Sequence, residues 1–115
     1  MKHIRASEIE WIEGRGYQKR KTLESWPLPA NVSLVQEVRF PKGSSVPPHY
    51  HLVQTEIFYA LSPGSIVIDD QEIIMEKGDI VICEPEEVHG MPLIEEDFAF
   101  LVMKIDYRED DTVWP

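Results

Sequence analysis

Residues 56–84 read EIFYALSPGSIVIDDQEIIMEKGDIVICE, a series of short apolar runs separated by turn residues. The runs EIFYAL, SIVID, QEIIMEK and DIVICE are rich in β-branched and aromatic side chains, and the segments PG, DD and KGD interrupt them. Runs of about four to eight residues bounded in this way predict antiparallel strands. SIVIDDQEIIM is the clearest hairpin, and we expect its turn at Asp69 and Asp70.

The same pattern extends to both sides of this stretch. Further strands are predicted for GYQKRKTL, VSLVQEVRF and SVPPHYH before it, and for a short piece near VHGMP and the run DFAFLVMKIDY after it. Helical periodicity is limited to SEIEWIEG, where Ser7 and Glu10 have the spacing of a capping box and Gly14 ends a single turn. Short strands with almost no helix predict an all-β barrel or sandwich, and because no linker or repeat divides residues 1–115 we expect one domain.

The composition indicates which classes of binding partner and which cellular compartment to expect. The chain has 115 residues, with 11 lysines and arginines against 21 acidic residues, and a formal net charge of −10. A chain this acidic repels phosphate backbones, so we expect no nucleic-acid partner. No stretch approaches the roughly 20 apolar residues of a membrane span, and MKHIRASEIE lacks the apolar core of a signal peptide. Cys83 is the only cysteine, which excludes an intramolecular disulfide, and we expect a cytoplasmic protein without a membrane partner.

Several predicted strands are apolar on both faces, most clearly SIVID, DIVICE and DFAFLVMKIDY. A small barrel buries only the inward face of each strand, so the opposite face needs another covering surface. A second copy of the chain is the usual way to cover such a face. We therefore expect a homodimer.

Three of the four histidines fall into one arrangement with an acidic residue. His49 and His51 are separated by one residue, so in a strand both side chains point to the same face. Glu56 opens the next predicted strand after a tight connection, and His89 follows a different strand, from which a barrel interior can bring it to the same place. Imidazoles with one carboxylate are a ligand set typical of a divalent transition metal ion. His3 lies far from this pattern, and we expect no role for it in the site.

Two stretches, residues 43–64 and 78–89, together resemble the paired motifs of the cupin superfamily. The first has the order G-x5-H-x-H-x4-E, and the second opens on a glycine, has a proline in its turn and ends on a histidine. The resemblance implies a double-stranded β-helix (jelly-roll) barrel, in agreement with the strand pattern. It also implies one divalent transition metal ion per chain, held by His49, His51, Glu56 and His89.

The chain departs from the usual cupin motifs at three places. Pro63 displaces by one position the glycine that closes the first motif, Gly64. In the second motif Glu84 and Glu86 stand where a proline and a glycine are common, and Leu93 replaces an asparagine. None of these changes removes a ligand, so we expect a metal site in which the second turn has its own shape.

The sequence leaves both the metal and the reaction open. Nitrogen and oxygen ligands suit manganese, iron, cobalt, nickel, copper or zinc. The superfamily includes oxygenases, decarboxylases, isomerases and non-enzymatic binders. One hypothesis is a metal-dependent enzyme, an oxygenase or a related lyase or isomerase, that acts on a small organic molecule. The alternatives are a non-enzymatic module that binds or senses a small molecule through the metal, and a metal-free sugar or hormone binder.

Five further residues are candidates for the surroundings of the metal. Glu84 is a candidate general base, with a solvated acidic turn as the alternative. Phe58 lies two positions after the glutamate ligand and by alternation shares the metal-facing side. Gln36, Met91 and Phe100 are also candidates for the pocket wall, with core packing or an outward orientation as the alternative. A titratable side chain in the pocket besides the ligands would favour an enzyme over a binding module.

Overall fold

The computed structural model of the chain describes residues 1–13, 18–19 and 31–115. These residues contain one 3-10 turn, Ala6–Glu8, and no α-helix. The strands are β1 (Lys2–Ile4), β2 (Ile12–Glu13), β3 (Gln18–Lys19), β4 (Val32–Phe40), β5 (Val46–His49), β6 (Thr55–Ala60), β7 (Gly64–Ile68), β8 (Gln71–Met75), β9 (Ile80–Cys83), β10 (His89–Met91) and β11 (Phe98–Ile105). The predicted strand GYQKRKTL overlaps β3 and otherwise lies outside the described residues. In the described parts of the chain, no helix is long and apolar enough to cross a membrane.

Most of the strands form two antiparallel sheets, ordered β1-β9-β6-β11-β4 and β5-β10-β7-β8. β2 and β3 form a separate two-stranded pair. The inward side chains of the two sheets meet in one core cluster, which includes Phe58 and Phe100 from the first sheet and Ile66 and Met91 from the second. Apart from the β7–β8 hairpin, neighbouring strands in the two sheets are not consecutive in the chain, as a jelly roll requires. The predicted all-β, cupin-like jelly-roll barrel is therefore confirmed.

β7 and β8 form the predicted hairpin, with Ile68 paired to Gln71 across the turn. Asp69 and Asp70 have φ of 47° and 65°, the left-handed values that a two-residue type I′ turn requires and that aspartate tolerates better than most residues. Asp69 also forms two hydrogen bonds with Val88, the residue just before β10. Its amide donates to the Val88 carbonyl at 2.7 Å, and its carboxylate accepts from the Val88 amide at 2.9 Å.

The first sheet is apolar on both faces, as predicted, and its outer face has a cluster of its own. This second cluster consists of Ile57, Ile80, Ile82 and Ile105. Each of these four side chains is at most 2% exposed within a single chain. Their burial therefore requires no second copy of the chain, and the homodimer remains a prediction.

The beginning of the chain differs from the prediction. β1 pairs with β9 as an edge strand, and the 3-10 turn that follows has no side-chain cap, so the predicted capping box of Ser7 and Glu10 is wrong. The reason is Asp79, whose carboxylate accepts hydrogen bonds from the Ala6 amide at 2.6 Å and from Nε2 of His3 at 2.8 Å. A buried carboxylate from a distant turn thus takes the place of the local cap.

Candidate metal centre

Three histidines converge in the space between the sheets. β5 and β10 are neighbours, and His49 is paired directly with His89. Gly90 allows this approach, because a Cβ atom there would lie 2.9 Å from the Val46 carbonyl oxygen. The ring centroid of His89 lies 4.3 Å from that of His49 and 5.3 Å from that of His51, which follows the end of β5. One ligand atom from each of the three rings lies within 4.8 Å of the other two.

Glu56 joins this group from the facing sheet. Its side chain is buried, and Oε1 is in close contact with Nε2 of His51 and 3.9 Å from Nε2 of His89. The buried Gln54 donates from its own Nε2 to the same oxygen at 3.3 Å, which helps to orient the carboxylate. Glu56 thus lies beside two of the predicted histidine ligands, whereas the cluster of potential ligand atoms within 4.8 Å of one another consists, among the described residues, of the three histidines.

Backbone carbonyl groups determine which nitrogen of each ring carries the proton. Nδ1 lies within hydrogen-bond distance of a carbonyl oxygen in all three rings, at 2.9 Å for His49, 2.7 Å for His51 and 3.0 Å for His89. Because a carbonyl oxygen only accepts, Nδ1 donates and the neutral ring has a bare Nε2. Metal-ligating histidines usually have this arrangement, in which the second nitrogen is held by an outer partner.

Nε2 of His89 is buried and has no hydrogen-bond partner within the described parts of the chain, and the buried Nε2 of His51 faces only the Glu56 carboxylate. Such atoms are rare in folded proteins, since each one costs about 1–3 kcal/mol. A divalent cation bound to these nitrogens removes that cost and also neutralises the buried Glu56 carboxylate. The donor set therefore fits a divalent transition metal ion.

Burial and neighbouring charges shift the pKa of each group in the site. Burial lowers the pKa of His49 and of His89, which favours the neutral form that binds metals. Burial also acts to lower the pKa of His51, but the Glu56 carboxylate beside it outweighs burial and leaves this pKa raised. Burial acts to raise the pKa of Glu56, but the imidazoles beside it and the Lys104 ammonium outweigh burial and leave it lowered. The carboxylate is therefore ionised at neutral pH.

Asp111 supports the segment that connects two of the candidate ligands. The backbone amides of residues 52–54 each donate to its carboxylate at 2.9 Å, and its carbonyl accepts from Nδ1 of His51. Burial acts to raise the pKa of Asp111, but the three amides outweigh burial and leave it lowered. Asp111 was not predicted as a site residue, because it stands in the acidic run REDD, a pattern typical of a solvated turn.

The residues after Asp111 continue along the same edge of the site. Tyr50 and Val113 exchange backbone hydrogen bonds of 3.0 and 2.9 Å. The ring centroid of Trp114 lies 4.6 Å from that of His49. Residues 111–114, which we call the C-terminal strap, therefore hold the segment that carries His49 and His51.

The candidate ligands lie on the wall of a cavity of about 260 Å³ between the sheets. Gln36, Phe58, Met91 and Phe100, the pocket candidates from the sequence, are all on this wall. Lys104 is there as well. The sequence analysis did not single out this lysine, because it stands near the end of the apolar run DFAFLVMKIDY and reads as a solvent-exposed strand end.

Two other residues that the sequence analysis considered lie away from the cavity wall. Glu84 is exposed in the turn after β9, where its amide donates to the Glu87 carboxylate at 2.6 Å. His3 is bonded to Asp79 and does not approach the three clustered histidines. Cys83 is buried behind the site, with Sγ 3.3 Å from Nδ1 of His89, and burial raises the pKa of its thiol.

The sequence matches a family of known proteins. The sequence profile of the cupin domain matches residues 36–104, more than half of the chain. This range includes the four candidate ligands and the whole of both motifs. A comparison with the sequences of curated proteins found no match.

Solved structures share the fold at low sequence identity. The TDP-quinovose 3,4-ketoisomerase WlaRB of Campylobacter jejuni has a TM-score of 0.76 at 12% identity, with 99% of this chain and 92% of that chain covered. A predicted oxalate decarboxylase of Thermotoga maritima has a TM-score of 0.57 at 24% identity, with 89% and 96% covered. The salicylate 1,2-dioxygenase of Pseudaminobacter salicylatoxidans has a TM-score of 0.56 at 15% identity, with 62% of this chain covered.

This chain spans only 20% of the length of the dioxygenase. At such identities the similar structures show the fold alone. The profile match extends over more than half of the chain and agrees with that fold. The chain therefore belongs to the cupin superfamily.

Proposed function

We propose that this cupin is a metal-dependent enzyme that acts on a small organic molecule, with one divalent transition metal ion held by His49, His51, Glu56 and His89. The observation that carries the proposal is the convergence of two buried Nε2 atoms, of His51 and His89, on the buried Glu56 carboxylate, with that of His89 left without a hydrogen-bond partner among the described residues. Nδ1 of each ring meanwhile faces a carbonyl oxygen. Rings held in this way are oriented for a cation and are costly to bury without one.

The residues around the ligands provide a sheltered place for a small molecule. Phe58, Met91 and Phe100 line the cavity and exclude water from the inner side of the site. Gln54 and the carbonyl groups behind the imidazoles hold the ligands in a fixed orientation. This ligand set suits manganese, iron, cobalt, nickel, copper and zinc. Any of these ions would supply a Lewis acid when bound, and iron or manganese would add redox chemistry.

Lys104 favours an enzyme over a passive binding module. Among the described residues on the cavity wall, it is the titratable side chain that is not a candidate ligand. An ammonium group beside a bound molecule can donate a proton to an anion that develops during a reaction, which supports an enzyme. Glu84 is exposed and lies off the cavity wall, which gives it less support as a general base.

For the reaction class we propose an oxygenase or a related lyase or isomerase. The similar structures are those of a dioxygenase, a predicted decarboxylase and a ketoisomerase, which supports this range without selecting one member. On the grounds of composition and charge we further propose a cytoplasmic protein without nucleic-acid or membrane partners. The homodimer is proposed on the grounds of the strands that are apolar on both faces.

Elemental analysis of protein purified without added metal tests the metal site. We expect close to one transition metal ion per chain in the wild type and less than about a tenth of that content in His51→Ala, because a lost ligand weakens binding by at least this factor. His3→Ala is the matched control, since His3 bonds to Asp79 outside the site, and its metal content should equal that of the wild type. Wild-type protein without metal contradicts the proposal.

An oxygen-uptake screen with small phenolic and diketone compounds then separates the reaction classes. Oxygen consumption that His51→Ala abolishes supports an oxygenase. Conversion of a compound without oxygen uptake supports a lyase or an isomerase. Binding of compounds to the metal-loaded protein without any conversion supports the binding module instead.

A further inference from the structure

We propose that Lys104 selects an anionic chelator as the molecule that binds in this cavity: a small carboxylate with a hydroxyl or keto oxygen next to its carboxyl group. The inference rests on the proposed function, since it assumes a metal ion at the four candidate ligands. It goes further by naming the chemical class of the bound molecule and the residue that recognises it.

Lys104 occupies an inward position near the end of β11. Along this strand Phe98, Phe100 and Val102 alternate as buried residues of the core, and Lys104 continues the same face. It is paired across the strands with Glu56, so the two side chains lie on the same side of the first sheet. A strand position that faces a core is normally apolar, and an ammonium group there needs a partner inside the cavity.

No carboxylate in the described parts of the chain forms an ion pair with Lys104. Its Nζ lies instead 5.3 Å from the centroid of the Tyr107 ring, in a cation–π contact. Besides this contact and its Coulomb attraction to Glu56, the ammonium has no carboxylate at ion-pair distance among the described residues, so an anion bound in the cavity would provide one.

The balance of charge in the cavity defines that molecule further. When the imidazoles are neutral, the charged groups in the cavity are a bound divalent cation, the Glu56 carboxylate and the Lys104 ammonium. Their charges add up to a net positive charge, and Lys104 contributes half of it. A partly buried excess charge of this kind is unfavourable until an anion neutralises it. A carboxylate with an adjacent oxygen that ionises on the metal neutralises the whole excess, whereas a neutral diketone or amide does not.

The size and lining of the cavity limit the rest of the molecule. The volume of about 260 Å³ accommodates a single ring or a short chain. Apart from Lys104 and the candidate ligands, the wall is mostly apolar, with Phe40, Phe58 and Val102 among its residues. An apolar body with one charged, chelating end therefore complements the site.

Salicylate and salicylamide are suitable probes, because they have the same shape and differ in the charge of one group. We would measure the dissociation constants of both by calorimetry with zinc-loaded protein, since zinc is not redox-active. Lys104→Met should weaken salicylate binding by about tenfold or more, in keeping with the loss of a charge-assisted contact, and change salicylamide binding by less than about twofold. Lys104→Arg should retain the preference for salicylate. Lys77→Met, which removes an exposed lysine from the turn after β8, is the matched control and should behave as the wild type.

The outcomes separate this inference from the proposed function. Zinc affinity, measured first for each variant, should not fall in Lys104→Met, because the substitution removes a positive charge near the ion. If the wild type does not bind zinc, the proposed function fails. If zinc binds but Lys104→Met leaves the ratio of salicylate to salicylamide affinity unchanged, or the wild type does not bind salicylate at millimolar concentration, the Lys104 inference alone is overturned.

Discussion

The backbone carbonyl of Asp111 lies 2.7 Å from Nδ1 of His51, a residue 60 positions earlier in the chain. Through its carboxylate the same aspartate accepts hydrogen bonds from the three amides of residues 52–54. One residue therefore orients the His51 ring and also fixes the connection that leads to Glu56. The geometry of two candidate ligands therefore depends on both the carbonyl and the carboxylate of a residue that is not itself a candidate ligand.

We predict that Asp111→Ala weakens zinc binding by about 10- to 100-fold, because partners that orient ligands typically contribute this much. The carbonyl remains in this variant, but the three amides lose their acceptor and the loop is no longer held. The free energy of unfolding of the metal-free protein should fall by about 1–3 kcal/mol for the same reason. Zinc titration and denaturant unfolding measure the two effects.

Asp110→Ala is the control for this prediction, since Asp110 is the exposed neighbour of Asp111. We expect it to change neither zinc affinity nor stability measurably. An Asp111→Ala variant that binds zinc as tightly as the wild type would show that the strap does not position the ligands.

We predict that Asp79 makes stability fall at acidic pH. Burial acts to raise the pKa of this carboxyl group, but hydrogen bonds from the amides of Ala6 and Glu76 and from His3 outweigh burial and leave it lowered. A lowered pKa in the folded state gives a stabilisation that is complete above the unfolded value of about 3.9 and is lost as the pH falls through the folded value. Denaturant unfolding at a series of pH values between about 7 and 2 measures this loss.

Asp79→Asn removes the titrating group and keeps most of the shape. We expect this variant to be less stable than the wild type at pH 7 and to approach it as the pH falls below about 4. Asp110→Asn, at an exposed position, should keep the pH dependence of the wild type. A constant difference between Asp79→Asn and the wild type at all pH values would refute the role of Asp79.

We predict that Phe100→Ala destabilises the protein by about 3–5 kcal/mol, the usual cost of removing a fully buried aromatic ring. Phe100 is 0% exposed, and its ring packs against Phe58 and Phe98 at centroid distances of 4.9 and 4.4 Å. Ile74→Ala is the control, because Ile74 is 71% exposed on β8 and should change stability by less than about 0.5 kcal/mol. Denaturant midpoints compare the two; equal losses would mean that the core is not centred on Phe100.

Much of the fold and part of the site could be predicted because they depend on local patterns. The alternation of side chains in a strand placed His49 and His51 on one face, and two aspartates between apolar runs marked the hairpin turn. The spacing to Glu56 and His89 then matched the cupin motifs. Each of these signals is contained in a short stretch of sequence or in the order of two stretches.

The remaining features depend on contacts between distant residues. Asp111 binds a loop some 60 positions away, and nothing in the run REDD distinguishes it from its solvated neighbours. Lys104 faces the cavity only because β11 lies between β4 and β6, with Lys104 opposite Glu56. The Ser7 capping box failed for a similar reason, since Asp79 from another strand connection provides the acceptor. Patterns within a segment do not show which distant group will be its partner.

We predict that Trp114 reports metal binding through its fluorescence. Its ring centroid lies 4.6 Å from that of His49, a candidate ligand, so a cobalt or copper ion bound there should quench the indole strongly. Of the three tryptophans in the chain, Trp114 should account for most of the metal-dependent change, and Trp114→Phe should abolish most of it. Trp11→Phe is the matched control, because Trp11 belongs to the segment before β2 and should leave the change intact. If quenching persists undiminished in Trp114→Phe while the metal still binds at one ion per chain, Trp114 is not the reporter and this prediction is wrong.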